Sequence, residues 1–143
     1  MKRLWIAIAA FPVIFSFLVN PASAFFFGPD IKINDLRTEY LKNPLAVDTT
    51  HPRLSWTLSS DKKNQYQTAY HIMVATTHEK LRNNNPDLWD SKKVRSSNTN
   101  NIPYEGKKLK SKQTCFWKVR IYNADDKPSK WSKTASFKIG ILD

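Results

Sequence analysis

The sequence predicts an all-β chain folded as a two-layer antiparallel β-sandwich of about seven strands. Three features carry this prediction. Apolar and polar residues alternate with a period of two along most of the length. Turn-forming residues punctuate that alternation at short intervals. Helical patterning is confined to one brief stretch, and no repeat of solenoid period occurs.

The elements follow in order. Leu36, Thr38 and Tyr40 alternate with Arg37 and Glu39, then Asn43-Pro44 turns the chain toward His51-Pro52. Leu54, Trp56 and Leu58 alternate with Arg53, Ser55 and Thr57, and the polar run Ser59 to Asn64 closes that strand. Tyr70, Ile72 and Val74 form the next inward row, which puts His71 on the solvent face. Thr76 followed three residues later by Glu79 fits a helix capping box, with Leu81 covering the core and Asn83-Asn84-Asn85-Pro86 ending the turn. Leu88-Trp89-Asp90 reads as a short strand. Ile102 and Tyr104 mark a weak one that Pro103 confines to an edge. Cys115, Trp117, Val119 and Ile121 make the longest inward row, Asp125 to Pro128 a turn, and Ala135, Phe137 and Ile139 the last strand. By parity with Ala135 and Phe137, Trp131 reads as a lid on the same core.

The first two dozen residues stand apart. Lys2 and Arg3 precede an apolar run from Leu4 to Val19, broken by Ser16, and Pro21 then leads into Ala22-Ser23-Ala24. This is the layout of a secretory signal peptide, with cleavage expected after Ala24, a secreted or periplasmic product, and membrane contact only during export. Cleavage removes 24 of 143 residues and leaves 119. Losing Lys2 and Arg3 takes the basic count from 23 to 21 against 12 acids, a net charge of +9. Residues 25–34, which include Phe25-Phe26-Phe27, read as a flexible, extended leader, 35–140 as the sandwich, and 141–143 as the start of an inter-domain linker. Three adjacent phenylalanines are an aggregation hazard unless they pack on something, such as a neighbouring domain.

The residue types that carry chemistry are sparse. Cys115 is the only cysteine, so an internal disulfide is excluded, and its inward register makes it a small buried apolar side chain. His51, His71, His78 and Cys115 show no metal-ligand spacing, and only three glycines occur, none in a phosphate loop, so no metal and no cofactor are expected. No serine sits in a nucleophile-elbow setting. Asp87 and Asp90, and the Asp125-Asp126 pair, are the acid–base candidates, and adjacent carboxylates in short turns ordinarily serve as solvated turn formers. Catalytic residues are therefore expected to be absent. The basic balance favours anionic neighbours without naming one. Lys107, Lys108, Lys110 and Lys112 form one cluster, and Lys92, Lys93 and Arg95 a second. Trp89 with the first cluster forms the candidate contact surface for a plant or bacterial glycan, Trp89 stacking on neutral sugar and the lysines holding acidic sugar. Nucleic acid is not expected as a partner, since no recognition motif is present.

A further set of motifs runs in order along the chain: Leu36-Arg37-Thr38-Glu39-Tyr40-Leu41, Asn43-Pro44-Leu45-Ala46-Val47-Asp48, Pro52-Arg53-Leu54-Ser55-Trp56, Gln67-Thr68-Ala69-Tyr70, Leu88-Trp89-Asp90-Ser91, Phe116-Trp117-Lys118-Val119-Arg120 and Pro128-Ser129-Lys130-Trp131-Ser132, with Phe137 and Gly140. In these the chain resembles the N-terminal fibronectin type III/immunoglobulin-like domain of bacterial α-L-rhamnosidases of glycoside hydrolase family 78. The resemblance implies an exported enzyme that removes terminal α-L-rhamnose with inversion, through carboxylates of an (α/α)-barrel domain. No position here matches that barrel, so no catalytic residue carries over. What it implies for this chain is an accessory module, a truncated product or a free-standing unit, packing against sibling domains or a partner chain. The alternative is a stand-alone carbohydrate- or polyanion-binding module. Two departures stand out. Cys115 occupies a position where the family often has a tyrosine whose hydroxyl ties down the preceding corner, which predicts a looser corner here. Ala46 replaces a usual glycine, which favours negative φ there.

Overall fold

This computed structural model describes residues 28–142. The expected signal peptide at 1–24 and Phe25-Phe26-Phe27 lie outside the described residues. Eight strands and one short helix follow in order: β1 Lys32–Thr38, β2 Arg53–Ser59, β3 Ala69–Ala75, α1 His78–Arg82, β4 Trp89–Asp90, β5 Val94–Arg95, β6 Ile102–Pro103, β7 Thr114–Tyr122 and β8 Ala135–Lys138. One sheet has the order β1-β2-β6; the other runs β4-β3-β7-β8, with β5 also on β3. Every pairing between these strands is antiparallel. The two-layer sandwich expected from the alternation is what forms.

The inward rows are those of the period-two pattern. Leu54, Trp56, Ile72, Val74, Cys115, Trp117, Val119, Ile121 and Phe137 are all buried in one core between the sheets. Full burial of such side chains is worth about 1.5–3 kcal/mol each, and with no disulfide among the described residues this packing carries the fold. Cys115 is buried with Trp117, and burial, then the nearby Asp87 charge, pushes its thiol up to about 12.

Edges are covered. The chain from Asn43 to Val47 crosses beside β8: Ser136 N–H donates to Asn43 Oδ1, Lys138 N–H to the Pro44 carbonyl and Gly140 N–H to the Val47 carbonyl, at 2.8–2.9 Å. This satisfies donors that a bare edge strand would offer to another chain. Pro103 lies in β6, at the edge of the smaller sheet, as its missing N–H requires.

Several expectations change. The sheet begins at Lys32, so the last residues of the stretch read as leader belong to β1, and Ile31 ahead of it is already buried. β1 ends at Thr38 rather than running through Tyr40, because Glu39 and Tyr40 take left-handed φ of 48° and 65° and turn the chain back. A bulge with Asp35 at φ 48° also shifts register within β1. The helix cap is Thr77, whose hydroxyl accepts from Lys80 N at 3.2 Å; Thr76 is drawn off to Asp87. Leu81 is buried with Met73 and Ala75 on the outer face of the larger sheet, not over the central core.

Candidate functional site

β3 and β7 lie side by side in the larger sheet, so their alternate residues form its outer face. His71 therefore does point away from the core, yet it is buried rather than solvent-facing. What covers it is Trp131. Residues 129–132 run along β7 through paired bonds: Ser129 N–H to the Ile121 carbonyl and Ser132 N–H to the Val119 carbonyl, both 2.8 Å, while the two serine hydroxyls accept from Ile121 N and Val119 N. Trp131 is thereby swung onto the outer face. Its ring lies 5.0 Å from the His71 ring, with Lys118 Nζ at 4.6 Å and the Arg120 guanidinium carbon at 4.7 Å from its centroid. The lid on the main core expected from parity is corrected: parity holds only along continuous strand, and 129–134 is not one.

Beneath Trp131, Arg120 Nη2 lies 3.3 Å from His71 Nδ1, and His71 Nε2 2.6 Å from Asp90 Oδ1. A guanidinium only donates, so Nδ1 accepts and the ring proton sits on Nε2, toward Asp90. Burial holds the His71 pKa below its ordinary value despite the Asp90 carboxylate. Asp90 also takes Lys92 Nζ at 2.6 Å and Lys92 N at 3.0 Å. Asp87 accepts from Thr76 N at 2.8 Å, Thr76 Oγ1 at 2.6 Å and Lys80 Nζ at 2.5 Å. Partial burial raises the Asp87 pKa, but the bonds from Lys80 and Thr76 outweigh it and hold the carboxyl far below its usual range. Asp126 pairs with Lys93. The acids singled out as acid–base candidates are thus engaged in holding loops, Asp125 apart, and Asp125 is an exposed turn residue.

Of the contact residues expected from sequence, Trp89 is half-buried, edge-on to the Tyr104 ring at 5.4 Å and 73°. Lys107, Lys108, Lys110 and Lys112 are exposed on the β6–β7 connection, and none makes an ion pair among the described residues. Trp89 and these lysines do not meet in one pocket. Lys108 and Lys110 border a cleft of about 650 Å³ with Leu109, Ser111, Thr50 and Leu142. A second, of about 600 Å³, lies between Gly28–Ile33 and Lys130–Lys133. No His, Cys, Asp or Glu lines the first, and only Asp30 lines the second. Among the described residues no group of three or more His, Cys, Asp or Glu is placed to hold a metal.

The corner before β7 is tied, contrary to the looser one expected from Cys115. Tyr104, from β6's end, is buried, and its hydroxyl donates to the Lys107 carbonyl at 2.7 Å with the Leu88 carbonyl at 3.3 Å. A neighbouring strand end supplies the hydroxyl. The Asn43-Pro44 turn expected from sequence lies within the loop at 39–45, but its exposed apolar side chains were missed: Leu41 and Leu45 stand 58% and 82% exposed. The period-two signal says nothing about which side chains of a loop stay exposed.

Comparison with known proteins places this geometry. Residues 33–143 match the family described as the Rha78A-like, N-terminal immunoglobulin domain. A curated α-L-rhamnosidase of Formosa agariphila is 46% identical over 105 residues, covering 73% of this chain and 11% of its own length. One from Streptomyces avermitilis is 37% identical over 112 residues, covering 78% of this chain and 11% of the relative. Among solved structures, the α-L-rhamnosidase from Dictyoglumus thermophilum superposes with a TM-score of 0.75 at 40% identity, over 78% of this chain and 12% of that one. The Streptomyces avermitilis enzyme complexed with L-rhamnose gives 0.73 at 37% identity, over 77% and 10%. The chain therefore spans about a tenth of the length of the relatives it matches, and it belongs to the family of Rha78A-like N-terminal immunoglobulin domains.

Proposed function

We propose that this chain is a non-catalytic accessory module of an exported, α-L-rhamnosidase-type system, working by packing against sibling domains or a partner chain. The observation that carries this reading is the extent of the match. It spans the sandwich and amounts to 11% of the curated relatives, the stretch whose family is described as an N-terminal immunoglobulin domain. The structure's own chemistry supports it: the acids whose pKa values are shifted are lowered by the cations and bonds that hold them in structural pairs, and the larger clefts lack converging acids. Glycoside hydrolysis needs two carboxylates across a bond. Export rests on the basic, apolar and small-residue segments of residues 1–24.

Two measurements test this. The purified chain should release no product from an aryl α-L-rhamnoside at concentrations where a full-length relative turns over rapidly; hydrolysis by the pure chain defeats the reading. Protein recovered from the secreting host should begin at Phe25 by N-terminal sequencing, and a product retaining residues 1–24 defeats the export part.

A further inference from the structure

The register fixes which loops share an end of the sandwich. The pairs Thr38 with Leu54 and Arg53 with Pro103 put the close of β1, the start of β2 and the close of β6 together, Thr114 with Lys138 does so for the start of β7 and the close of β8, and the bonds from β8 to the 43–47 segment that follows β1 bring both sets to one end. The described chain begins at the opposite end, where Gly28–Asp30 lie beside Lys62, Gln65 and Asn123. Exposed large apolar side chains are distributed unevenly between the ends. Tyr40, Leu41, Leu45 and Ile141 are 54%, 58%, 82% and 74% exposed, all on loops of the end where β8 closes. Among the described residues, Tyr66 alone of this class lies on a loop of the far end.

The loop that presents three of them is pinned. Glu39 and Tyr40 are successive left-handed residues, and Asn43 is a third at φ 46°. Thr38 and Leu41 exchange backbone bonds of 2.9 and 3.0 Å, Arg53 grips the Glu39 carboxylate at 2.5 Å, and Tyr40 Oη donates to Asn101 Oδ1 at 2.8 Å. Strain held by this many partners around exposed leucines is a feature of ligand-facing segments. Beside it, the departing chain is strapped to the lysine loop: Lys112 N–H donates to the Gly140 carbonyl at 3.0 Å, Ile139 N–H to the Gln113 carbonyl at 2.8 Å and Leu142 N–H to Ser111 Oγ at 3.0 Å. The matching family is described as an N-terminal domain and the match amounts to 11% of a relative's length, so a polypeptide that continues past residue 143 leaves the sandwich from this end.

We infer that this end of the sandwich is a docking face for the body of an α-L-rhamnosidase-type polypeptide, Leu41, Leu45 and Ile141 meeting an apolar patch and Lys107, Lys108, Lys110 and Lys112 meeting a rim of carboxylates. The inference rests on the accessory-module reading and adds to it which surface is used and what chemistry faces it. Unpaired exposed lysines around an apolar centre are the arrangement that steers and then seats an acidic-rimmed partner.

The test is a chimera in which the matched N-terminal stretch of the Streptomyces avermitilis enzyme is replaced by residues 28–143 of this chain, which close their own core. It is compared with the same enzyme lacking that stretch. The readout is the half-life of aryl-rhamnoside hydrolysis on heating, or recovery of activity if the shortened enzyme is inactive. The chimera should outlast the shortened enzyme. Leu41→Asp with Leu45→Asp, and separately charge reversal of the four lysines to Glu, should each remove that gain, the second in a salt-dependent manner. Tyr66→Asp at the far end should not. Each variant is also made as the free domain, where an unchanged melting temperature excludes simple unfolding. If the chimera survives no longer than the shortened enzyme, the packing role itself is lost. If it survives longer but both variants match it, the packing role stands and this face is wrong. Loss of polyanion binding in the lysine variant, with the half-life intact, overturns the assignment of the lysines to a protein partner.

Discussion

Trp56 Nε1 donates to Gln67 Oε1 at 3.1 Å inside the sandwich, and Gln67 Nε2 in turn donates to the Ser96 and Asn98 carbonyls at 3.0 and 2.9 Å. One buried amide thus joins β2, the approach to β3 and the long β5–β6 connection. Truncation to Gln67→Ala leaves the indole donor unpaired in the core, and a buried orphan of this kind costs about 1–3 kcal/mol. Together with the cavity, the loss expected is about 3 kcal/mol. Urea unfolding checks it, as a lower midpoint with an unchanged slope. Gln67→Glu should be about as damaging, since it puts an acceptor-only charge against two carbonyls.

Tyr104→Phe removes the hydroxyl that holds the Lys107 carbonyl and should cost about 1–2 kcal/mol, the range for a buried hydrogen bond with one group left unpaired. Gly106 makes that bond geometrically possible. A Cβ on it would come within 2.5 Å of the Leu88 carbonyl oxygen, Trp89 Cβ and Tyr104 Oη together. Two of those three are backbone or backbone-proximal atoms that cannot swing away. Gly106→Ala is therefore expected to be the more damaging of the two, about 3 kcal/mol, which thermal denaturation of both variants would rank.

These sites show where sequence reasoning held and where it lost purchase. Period two placed Ile72, Val74, Cys115, Trp117 and Phe137 in the core because strand geometry alone decides which face a residue takes. It failed at Trp131, because Ser129 and Ser132 interrupt the ladder with side-chain bonds and reset the parity. It failed at Thr76, because a carboxylate eleven residues away competes for the hydroxyl a cap would use. The tie at Tyr104 was hidden for a related reason. Its donor comes from a different strand end than the expected one, and only the three-dimensional corner brings Tyr104, Leu88 and Lys107 together. For the contact surface, composition located the lysines, but the exposed Leu41 and Leu45 depend on left-handed backbone that no pattern in the sequence marks.

Acid should weaken the fold through Asp87. Its folded-state pKa is depressed, so the stability it contributes is fully present above the unfolded carboxylate value of about 3.9 and drains away as pH falls below that. Glu39 and Asp90 are lowered as well, by Arg53 for the first and by Lys92 and His71 against burial for the second, and add in the same direction. The urea midpoint is expected to be flat above about pH 6.5, to slip below that as His71 is forced to charge, and to fall most steeply between about pH 4 and pH 2 as the carboxylates protonate. Asp87→Asn should cost about 1–3 kcal/mol at pH 7 through its weakened bonds to Thr76 and Lys80, and should shallow that acid slope. An equally steep slope in the variant assigns the lability to other groups.

Cys115 is fully buried and its thiol is held up to about 12, so almost no thiolate exists at neutral pH. A disulfide reagent such as DTNB should leave the native chain unmodified over hours and titrate one thiol once urea unfolds it. Cys115→Ser places a hydroxyl among Trp117 and Phe137 without an evident acceptor and should cost about 1–3 kcal/mol.

Removing the Trp131 indole tests the outer-face stack as a unit. The ring shields His71 and packs against two cations, Lys118 and Arg120, which are otherwise held close together on β7. Trp131→Ala should cost about 2–3 kcal/mol, less than a wholly buried tryptophan because the ring is half-exposed. It also carries a spectroscopic signature. Burial is the leading reason the His71 pKa is low, so uncovering the ring lets that pKa climb back toward about 6.5. In the parent the depressed value means that stability present above about pH 6.5 is lost as pH falls and the ring is forced to charge. NMR titration of the His71 ring protons should show the parent titrating below pH 6.5 and the variant closer to it. A titration that does not move on Trp131→Ala would mean that Asp90 and Arg120, and not the indole above them, set the charge of this histidine.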